Sequence, residues 1–526
     1  MLPPHHIIMK HSINPAKEVY KQLRKETWET LWEREVPLFN SGSADERLAR
    51  IGLVRAIGVV ALEKATQAQR QQTRQWLTGL LQDPEEKIRR YAMNALPKLG
   101  PNVESEKAML ELLDQPKGAR EVKNLSDTLS KIGGEATLEK LEALHDEHEA
   151  LHPAEQKVKA QLARQEAPAS IRLDAKIKET RKLRIHLRTR RGMEPFVRDE
   201  LLAHPRLRSR FKIIRTSPGC VALTALRPFT LAEVYELRTF GSVNFVLGVV
   251  PEREAKHTEK MAEIIASEPT QHLCRMLTEG QPRYRLQFMR AKVPPRKVQA
   301  IVNEAFARCP DLLNDPRQSP WAIEIFPEKV GQSVELRPRV LPDPRFAYRV
   351  DDVPASTHPP LAAAMAQLAG IEPDEVIWDP FCGSGLELIE RARLGGVDSI
   401  IATDIDDHAI EVARQNFESA GIASEKIALH RGDFRNYEKV TGITPGSISL
   451  ILANPPLGRR IRVEDLKGFM TEFYQIAAKT LRPGGRLVFI NPLKLDSPDS
   501  TLKLEARHLV DLGGFDCRVE RWVKGV

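Results

Sequence analysis

The first third of the chain carries its apolar residues at helical spacing. Between residues 44 and 144 they recur every three or four positions with few β-branched runs, which predicts amphipathic helices. One helix is predicted to begin at Asp83-Pro84, because Asp caps a helix and Pro suits its first turn, and to end at Gly100. Its apolar stripe comprises Ile88, Tyr91, Ala92, Ala95, Leu96 and Leu99.

Two further helices with the same type of ending indicate a repeat. The pattern predicts helix ends at Ile57-Gly58 and Ile132-Gly133, so the terminal glycines of the three helices stand at positions 58, 100 and 133. A spacing of this size is typical of stacked helical hairpins, and residues 83–100 resemble a HEAT-type repeat. The resemblance implies three to four hairpins within residues 1–168 that offer a surface to a protein partner. A non-repeating helical bundle is the alternative, and residues 146–167 are predicted to be a polar helical linker.

The middle of the chain alternates between short strands and helices. Strands are predicted at residues 183–190, 211–214, 220–223 and 243–247, with helices at 193–202 and 230–238. This βαββαβ order is that of a ferredoxin-like split unit, placed at residues 169–255. A second α+β unit is predicted at residues 256–345, with helices at 257–277 and 296–307 and strands at 284–288, 321–325 and 332–336.

The last third, residues 346–526, shows a different alternation. A buried strand at 375–378, the turn Asp379-Pro380-Phe381-Cys382-Gly383-Ser384-Gly385 and a helix follow in the order that opens a nucleotide-binding βαβ unit. Further strands are predicted at 399–403, 427–430, 447–452 and 486–490, with helices at 408–420 and 469–480. We therefore expect a multidomain chain whose all-α and α+β regions precede an α/β, doubly wound, Rossmann-like domain with ligands at the carboxyl ends of its strands.

Charge and cysteine content change this picture in two ways. The 526 residues carry a net charge of +8, but residues 171–350 hold 34 Lys and Arg against 20 Asp and Glu, a local +14 that leaves −6 for the remainder. A basic middle region favours a polyanionic partner. The five cysteines form no C-x-x-C pair, and no apolar run approaches the ~20 residues that span a bilayer, so we expect a cytoplasmic protein with no disulfide framework, zinc site or membrane segment.

The chemistry is predicted to lie at the ends of the C-terminal strands. Asp404 ends the second strand, and an acid about 20 residues beyond a Gly-rich turn is placed to hold a ribose diol. Asp433 ends the third strand and is a candidate acceptor for an adenine amino group, with Phe434 on the adenine face. No G-x-G-x-x-G is present, which argues against a dehydrogenase.

These motifs, followed by Asn454-Pro455-Pro456-Leu457, resemble in order those of a class I S-adenosylmethionine-dependent methyltransferase of the amino-methylating branch. The resemblance implies S-adenosylmethionine as the cofactor. The implied cofactor-binding residues are Asp379, Phe381, Gly383, Ser384, Gly385, Asp404, Ile405, Asp433, Phe434 and Asn454. Cys382 has no spaced His or acid to activate it and is interpreted as a small loop residue.

Asn454-Pro455-Pro456-Leu457 is the candidate catalytic segment. An exocyclic base amine is a poor nucleophile because its lone pair is delocalised into the ring. An Asn oxygen and a backbone carbonyl can accept its two N–H bonds and expose the lone pair, and in the resembling family Asn454 and the Pro455 carbonyl do this. Leu457 departs from the aromatic residue that many relatives carry there, so Phe381, Phe434 and Phe469 are candidates for stacking on the base.

The basic middle region resembles the front end of THUMP-domain RNA methyltransferases. The resemblance rests on Gly192-Met193-Glu194, on Leu237-Arg238-Thr239 and on the unit at residues 284–336, and it implies a grip on structured RNA such as tRNA or rRNA. The predicted RNA-contacting residues are Arg181, Lys182, Arg184, Arg188, Arg190 and Arg191. His358, in the segment that leads into the last domain, is either near the donor or structural.

The favoured hypothesis is an RNA methyltransferase that modifies an exocyclic amine, in the first place the guanine 2-amino group of tRNA or rRNA. One alternative keeps the enzyme but makes DNA adenine N6 or a protein amide the acceptor, since the same Asn-Pro-Pro pattern serves both. The other alternative is a non-catalytic adaptor that binds RNA or protein. The RNA species, the modified nucleotide and the oligomeric state are left open.

Overall fold

The computed structural model describes residues 15–114, 118–145, 149–166, 169–180, 183–354, 356–456 and 464–525. They fall into two units, Met1–Pro168 and Ala169–Val526. The first unit is helical. Its helices are α1 Pro15–Leu23, α2 Trp28–Thr30, α3 Val36–Ser41, α4 Ala44–Ala49, α5 Gly52–Lys64, α6 Gln67–Gly79, α7 Glu86–Ala95, α8 Val103–Leu113, α9 Ala119–Ile132, α10 Glu135–Ala143 and α11 His152–Glu166, with a π-helical turn at Leu31–Glu35 and 3₁₀ turns at Leu80–Gln82, Leu96–Leu99 and Glu149–Leu151.

The helices of the first unit stack in two rows. Helix α5 packs on α7 and α7 on α9, while α6 packs on α8 and α8 on α10. The predicted stripe around Ile88 is buried, and Gly100, with φ +81°, ends that helical segment as expected. The stacking is what hairpin repeats require, but the HEAT-type assignment itself stays a prediction.

Two predictions for this unit are wrong. Gly58 does not end a helix but lies inside α5, where a Cβ atom would be 3.3 Å from Ala95 Cβ, so the glycine allows α5 and α7 to pack closely. Within residues 146–167, the described part of the predicted linker carries buried Leu151, Ala154 and Val158, which join the core of this unit. Residues 146–167 are polar on average, so the sequence pattern did not reveal this narrow apolar stripe.

The described part of the basic middle region contains ten strands, of which eight form one sheet and the first and the sixth form a separate pair. The strands of the region are β1 Ser170–Ile171, β2 Arg184–Arg188, β3 Phe211–Ser217, β4 Cys220–Ala225, β5 Ser242–Pro251, β6 Thr278–Glu279, β7 Arg283–Phe288, β8 Leu313–Asn314, β9 Trp321–Glu328 and β10 Gly331–Pro338. Its helices are α12 Glu194–Ala203, α13 Leu231–Val234, α14 His257–Ile265, α15 Glu268–Leu277 and α16 Pro295–Arg308, with a 3₁₀ turn at Leu207–Ser209. The single helix predicted at 257–277 is therefore two, because Pro269 starts α15.

The strand order shows how the two predicted α+β units are joined. The order is β3-β4-β2-β5-β10-β9-β7-β8, and its first four strands are antiparallel in the order expected of a ferredoxin-like unit. Strand β5 of the first α+β unit then pairs with β10 of the second α+β unit, with Val250 opposite Gln332. The two units thus share a continuous sheet, which chain order alone does not reveal.

The last region is a seven-stranded, mostly parallel sheet. Its elements are 3₁₀ turn Pro344–Phe346, α17 Pro359–Ala369, β11 Glu375–Asp379, α18 Leu386–Ala392, β12 Val397–Asp404, α19 Asp407–Ser419, 3₁₀ turn Ser424–Lys426, β13 Ile427–Arg431, 3₁₀ turn Phe434–Asn436, α20 Tyr437–Thr441, β14 Ile448–Ala453, α21 Leu466–Thr480, β15 Leu481–Asn491, β16 Leu502–Asp511 and β17 Asp516–Lys524. The order is β13-β12-β11-β14-β15-β17-β16, with β17 antiparallel to both neighbours. The predicted doubly wound sheet is confirmed, and strands β16 and β17 were missed.

The basic region is docked on this sheet through a tight seam. Gly192, with φ +93°, lies so close to β16 that a Cβ atom would be 1.8 Å from Leu509 O, and Asp511 N donates to Arg191 O at 2.9 Å. At a second point, Arg238 pairs with Glu390 on α18 at 2.7 Å, and that carboxylate is 1% exposed. Two of the motifs interpreted as marks of an RNA-binding unit are thus contacts between the basic region and the last region.

No helix in the described ranges is long and apolar enough to cross a membrane. Across the same ranges, His, Cys, Asp and Glu side chains form no cluster that could hold a metal ion.

Candidate active site

A cavity of about 1200 Å³ opens at the carboxyl ends of β11, β12 and β14. This is the edge of a doubly wound sheet where ligands bind. Its volume exceeds the usual ~300–1000 Å³ of a site for one small ligand, so there is room for two ligands. The cavity wall includes residues of the Asp379 turn, Asp404, Asp433 and Asn454, so the structure brings together motifs that lie far apart along the chain.

The Gly-rich turn after β11 is held in a defined conformation. Asp379 is fully buried, and its Oδ1 accepts a hydrogen bond from Phe381 N at 2.9 Å. Gly383 and Gly385 have φ of +49° and +80°, and a Cβ on Gly385 would be 3.1 Å from the Phe417 ring. Glycine is needed at both positions because side chains disfavour this backbone region.

Three acidic side chains make this end of the cavity electronegative. Desolvation, and next the neighbouring Glu387, raise the pKa of Asp379 well above its ordinary value. Desolvation also raises the pKa of Asp404. Among the described residues, Asp379 Oδ2 is buried without a hydrogen-bond partner. A cationic ligand would relieve the electrostatic penalty of these groups.

The two acids predicted to hold the nucleoside differ in their surroundings. Asp404 ends β12, and its Oδ2 accepts from Gly383 N at 2.9 Å, so this acid ties the second strand to the Gly-rich turn. Ile405 beside it is 69% exposed and forms part of the cavity wall. Asp433 accepts from Arg435 N at 2.9 Å and pairs with the Arg435 guanidinium at 3.0 Å, while still facing the cavity.

The candidate stacking residues form one aromatic cluster. Phe381 lies 4.9 Å from Phe434 and 5.5 Å from Phe469 between ring centroids, and Phe473 packs beneath them at 5.4 Å from Phe381. Phe434 is only 3% exposed and therefore offers little free ring face. Phe381 and Phe469 are half-buried at the cavity wall and remain the better candidates for contact with a base.

Asn454 follows β14 directly, and its side-chain amide is oriented by one partner. Asn454 Nδ2 donates to Thr357 Oγ1 at 2.7 Å, and Thr357 in turn donates to Glu387 Oε1. No donor among the described residues reaches the buried Asn454 Oδ1. Pro455 and Pro456 line the cavity next to it, whereas Leu457 lies outside the described residues.

Three residues that hydrogen-bond to the predicted site segments were missed by sequence reasoning. Thr357 and Glu387 contact the Asn454 amide network, and both are buried. Asn416 on α19 accepts from Val350 N at 3.0 Å and donates to Ser384 O at 2.9 Å, which ties the entry segment to the Gly-rich turn. The Thr357–His358 dipeptide before α17 was a visible signal, but nothing local to Glu387 or Asn416 marked either residue.

His358 also lines the cavity. Desolvation in the cavity wall, followed by nearby Arg190 and two further arginines, lowers the pKa of His358 to about 4, although the side chain is exposed at the rim. Its imidazole is therefore neutral near pH 7. Cys382 is buried and its pKa is raised by desolvation, which fits the interpretation of a small loop residue.

The predicted RNA-contacting residues do not form one surface. Arg184 is exposed on β2, Arg191 pairs with Asp516 at 2.7 Å across the seam, and Arg190 lines the cavity itself. Arg181 and Lys182 lie outside the described residues. Arg188 is held by a buried carboxylate and is not part of such a surface.

Arg188 is a structural residue. Its guanidinium pairs with Glu335, which is fully buried on β10, and its Cζ lies 3.9 Å from the centre of the Phe326 ring. His186 Nδ1 lies 2.7 Å from the same carboxylate. This carboxylate belongs to a strand that is distant in the sequence, so the charge run looked free. We therefore remove Arg188 from the RNA-contacting set.

Comparisons with known proteins agree with this site. Residues 347–500 match the family model described as UPF0020, RMKL-like, methyltransferase domain. A tRNA (guanine(6)-N2)-methyltransferase of Thermus thermophilus is 32% identical over 205 residues, 38% of this chain and 58% of that protein. A tRNA (guanine(10)-N2)-dimethyltransferase of Methanothermobacter thermautotrophicus is 35% identical over 146 residues, 27% of this chain and 40% of that protein. The matches thus span less than two thirds of either relative.

A solved structure extends the likeness beyond the family model. The crystal structure of TrmN from Thermus thermophilus superimposes with a TM-score of 0.52 at 21% identity, covering 65% of this chain and 99% of that one. Because residues 347–526 make up well under half of the chain, the shared fold must include part of the chain before them.

Residues 347–500 are therefore a methyltransferase domain whose cofactor is S-adenosylmethionine, as predicted. The site fits this cofactor on its own geometry. The unpartnered Asp379 Oδ2 and the raised pKa of Asp404 suit a ligand that carries sulfonium and ammonium charges, and Gly383 lines the cavity without a side chain. Asp404 would hold the ribose hydroxyls. The THUMP and HEAT assignments and the cytoplasmic location stay predictions.

Proposed function

We propose that this protein methylates an exocyclic base amine in structured RNA, in the first place the guanine 2-amino group of a tRNA or rRNA. The observation that carries the proposal is the orientation of Asn454. Its Nδ2 is engaged by Thr357, so the buried Oδ1, unpartnered among the described residues, is the atom left to accept an N–H from a substrate. An unpaired buried oxygen is unfavourable, and a substrate amine would satisfy it.

The chemistry follows from two acceptors at one nitrogen. Asn454 Oδ1 and the Pro455 carbonyl would each accept one N–H of the amine, which turns its lone pair away from the ring. The bound cofactor supplies a methyl group on a positively charged sulfur. Transfer of that methyl group would join it to the amine nitrogen and leave the donor as a neutral thioether. The proton that the nitrogen gives up would pass to water in the cavity. Catalysis rests on positioning and electrostatics rather than on a strong base.

The preference for RNA rests on charge and on the relatives. The local excess of +14 charges lies in the region that is docked by the Gly192 seam next to the cavity, and Arg190 reaches the cavity wall. Arginine at this point is suited to a phosphate that flanks a flipped base. The two relatives described above act on guanine N2 of tRNA by name. The helical first unit is proposed to bind a protein partner.

The experiment offers three acceptors to the purified full chain with methyl-labelled donor. Bulk tRNA, ribosomal RNA and duplex DNA are incubated separately, digested, and the labelled nucleoside is identified. Label in N2-methylguanosine supports the proposal. Label in N6-methyladenine of DNA would favour that alternative acceptor, and donor binding without transfer to any of the three would point to the protein-amide alternative. The absence of both donor binding and transfer would favour the adaptor hypothesis.

The role of Asn454 is tested by Asn454→Ala. Loss of one preorganised group at the reacting nitrogen should lower turnover by roughly 10²–10³-fold while donor binding, measured by calorimetry, is retained. Asn124→Ala is the matched control, because Asn124 is only partly buried and its side chain bonds to Arg120 and Asn94 within the helical unit. Turnover of Asn454→Ala close to that of the control would refute the role.

A further inference from the structure

A buried three-residue network leads away from the Asn454 amide. Asn454 Nδ2 lies 2.7 Å from Thr357 Oγ1, and Thr357 Oγ1 is bonded to Glu387 Oε1. Thr357 is 6% exposed and Glu387 is 4% exposed, so water has little access to either bond. The three residues belong to the end of β14, to the segment before α17 and to the first turn of α18, and their bonds join three parts of the chain at one point.

With Asn454 Nδ2 on Thr357 and an ionised Glu387, each hydrogen bond in this network has one direction. An amide nitrogen has no free lone pair, so Asn454 must donate to Thr357, and the single hydroxyl proton of Thr357 must then go to Glu387. A carboxylate can only accept, so it prevents the hydroxyl from turning its proton toward Asn454. The amide therefore cannot flip to exchange its nitrogen and oxygen without losing a buried bond.

We infer that Thr357 and Glu387 are positioning residues that keep Asn454 Oδ1 turned into the cavity. The inference rests on the proposed function, because it explains how the amine-accepting atom is presented. A flipped amide would offer two N–H donors to the substrate amine, which also donates, and the pair would repel. The network thus presents the amide oxygen of Asn454, a hydrogen-bond acceptor, to the substrate instead of the amide nitrogen, a donor.

The alternative role for Glu387 is direct contact with the positively charged donor. The carboxylate lines the cavity near Asp379, so both roles are sterically open. They differ in what a substitution changes. A positioning residue alters the rate of transfer at saturating donor, whereas a cation-binding residue alters the affinity for the donor.

The test uses four variants of the full chain. Thr357→Val removes the hydroxyl, Thr357→Ser retains it, and Glu387→Gln supplies an N–H that lets the Thr357 proton turn toward Asn454. Thr480→Val is the matched control, since Thr480 is fully buried and its hydroxyl bonds to the Ile476 and Ala477 carbonyls of its own helix.

The expected result is a loss of turnover without a loss of binding. Thr357→Val and Glu387→Gln should lower the single-turnover rate with bulk tRNA on the order of 10- to 100-fold, as misplacement of a reacting group does. Donor affinity by calorimetry should be unchanged, and Thr357→Ser and Thr480→Val should react like the parent. Weaker donor binding in Glu387→Gln with an unchanged saturating rate would overturn the inference in favour of direct contact.

A second readout does not depend on activity. The Asn454 side-chain amide protons, observed by NMR in protein labelled with ¹⁵N-asparagine, should exchange slowly with solvent and should exchange faster in Thr357→Val than in Thr357→Ser. Equal exchange in both variants would overturn the network.

If the parent protein methylates no acceptor, the proposed function fails, while this exchange measurement still tests the geometry of the network. If the parent is active and Thr357→Val is equally active, only the positioning role fails.

Discussion

Substitution of Gly192 by Ala should separate the basic region from the catalytic sheet. Gly192 has φ +93°, and a Cβ atom there would be 1.8 Å from Leu509 O. Ordinary contacts begin at 3.4 Å, so the two backbones would have to move apart by about 1.6 Å. The neighbouring bond from Asp511 N to Arg191 O, 2.9 Å long, would not survive such a movement.

The magnitude follows from three contributions. A side chain at positive φ costs about 1–2 kcal/mol. Overpacking of a tight contact costs roughly 1–3 kcal/mol, and the lost hydrogen bond about 1 kcal/mol. The sum, about 3–6 kcal/mol, is a large share of the ~5–15 kcal/mol by which folded domains are stable.

The assay is urea unfolding of the full chain followed by tryptophan fluorescence. Gly442→Ala is the matched control, because Gly442 has φ +72° with no atom within 4 Å of the added Cβ, so it reports the backbone contribution alone. We expect Gly192→Ala to lose about 2–4 kcal/mol more than this control. A difference below about 0.5 kcal/mol, the usual range for surface substitutions, would refute the seam.

Three further predictions concern residues of the second compact unit, Ala169–Val526. Arg238→Ala should destabilise the fold by about 3–5 kcal/mol in urea unfolding, because the buried Glu390 carboxylate would lose its cationic partner and keep only the hydrogen bond from Tyr348, whereas a change below about 1 kcal/mol would contradict the pair. Asp379→Asn should raise the melting temperature without donor and reduce the shift in melting temperature that donor produces. Because the pKa of Asp379 is raised in the native state, the native state holds more protons than the unfolded state above the ordinary carboxyl pKa, and stability falls as pH rises through that window. The variant should show a shallower fall. Arg190→Ala should weaken binding of bulk tRNA and reduce its salt dependence by about one phosphate contact, and an unchanged salt slope would exclude that contact.

Local patterns in the sequence were enough to predict the kinds of element and the candidate chemistry at their ends. Strand and helix periods are local, so the stripe around Ile88 and the strands that carry Asp379, Asp404 and Asn454 were predicted within a few residues. Parallel strands bring their carboxyl ends to one edge of a sheet, which is why motifs met in order along the chain were expected to lie together, and the cavity confirms that they do.

The residues that face one another across the fold could not be predicted from these patterns. Thr357 and Asn454 lie 97 residues apart, and Arg188 and Glu335 lie 147 apart. Neither pair produces any periodic signal, because a contact between distant segments depends on how elements pack and not on their local pattern. For the same reason Gly58 was misinterpreted as a helix end, and the close approach of Gly192 to Leu509 was not foreseen.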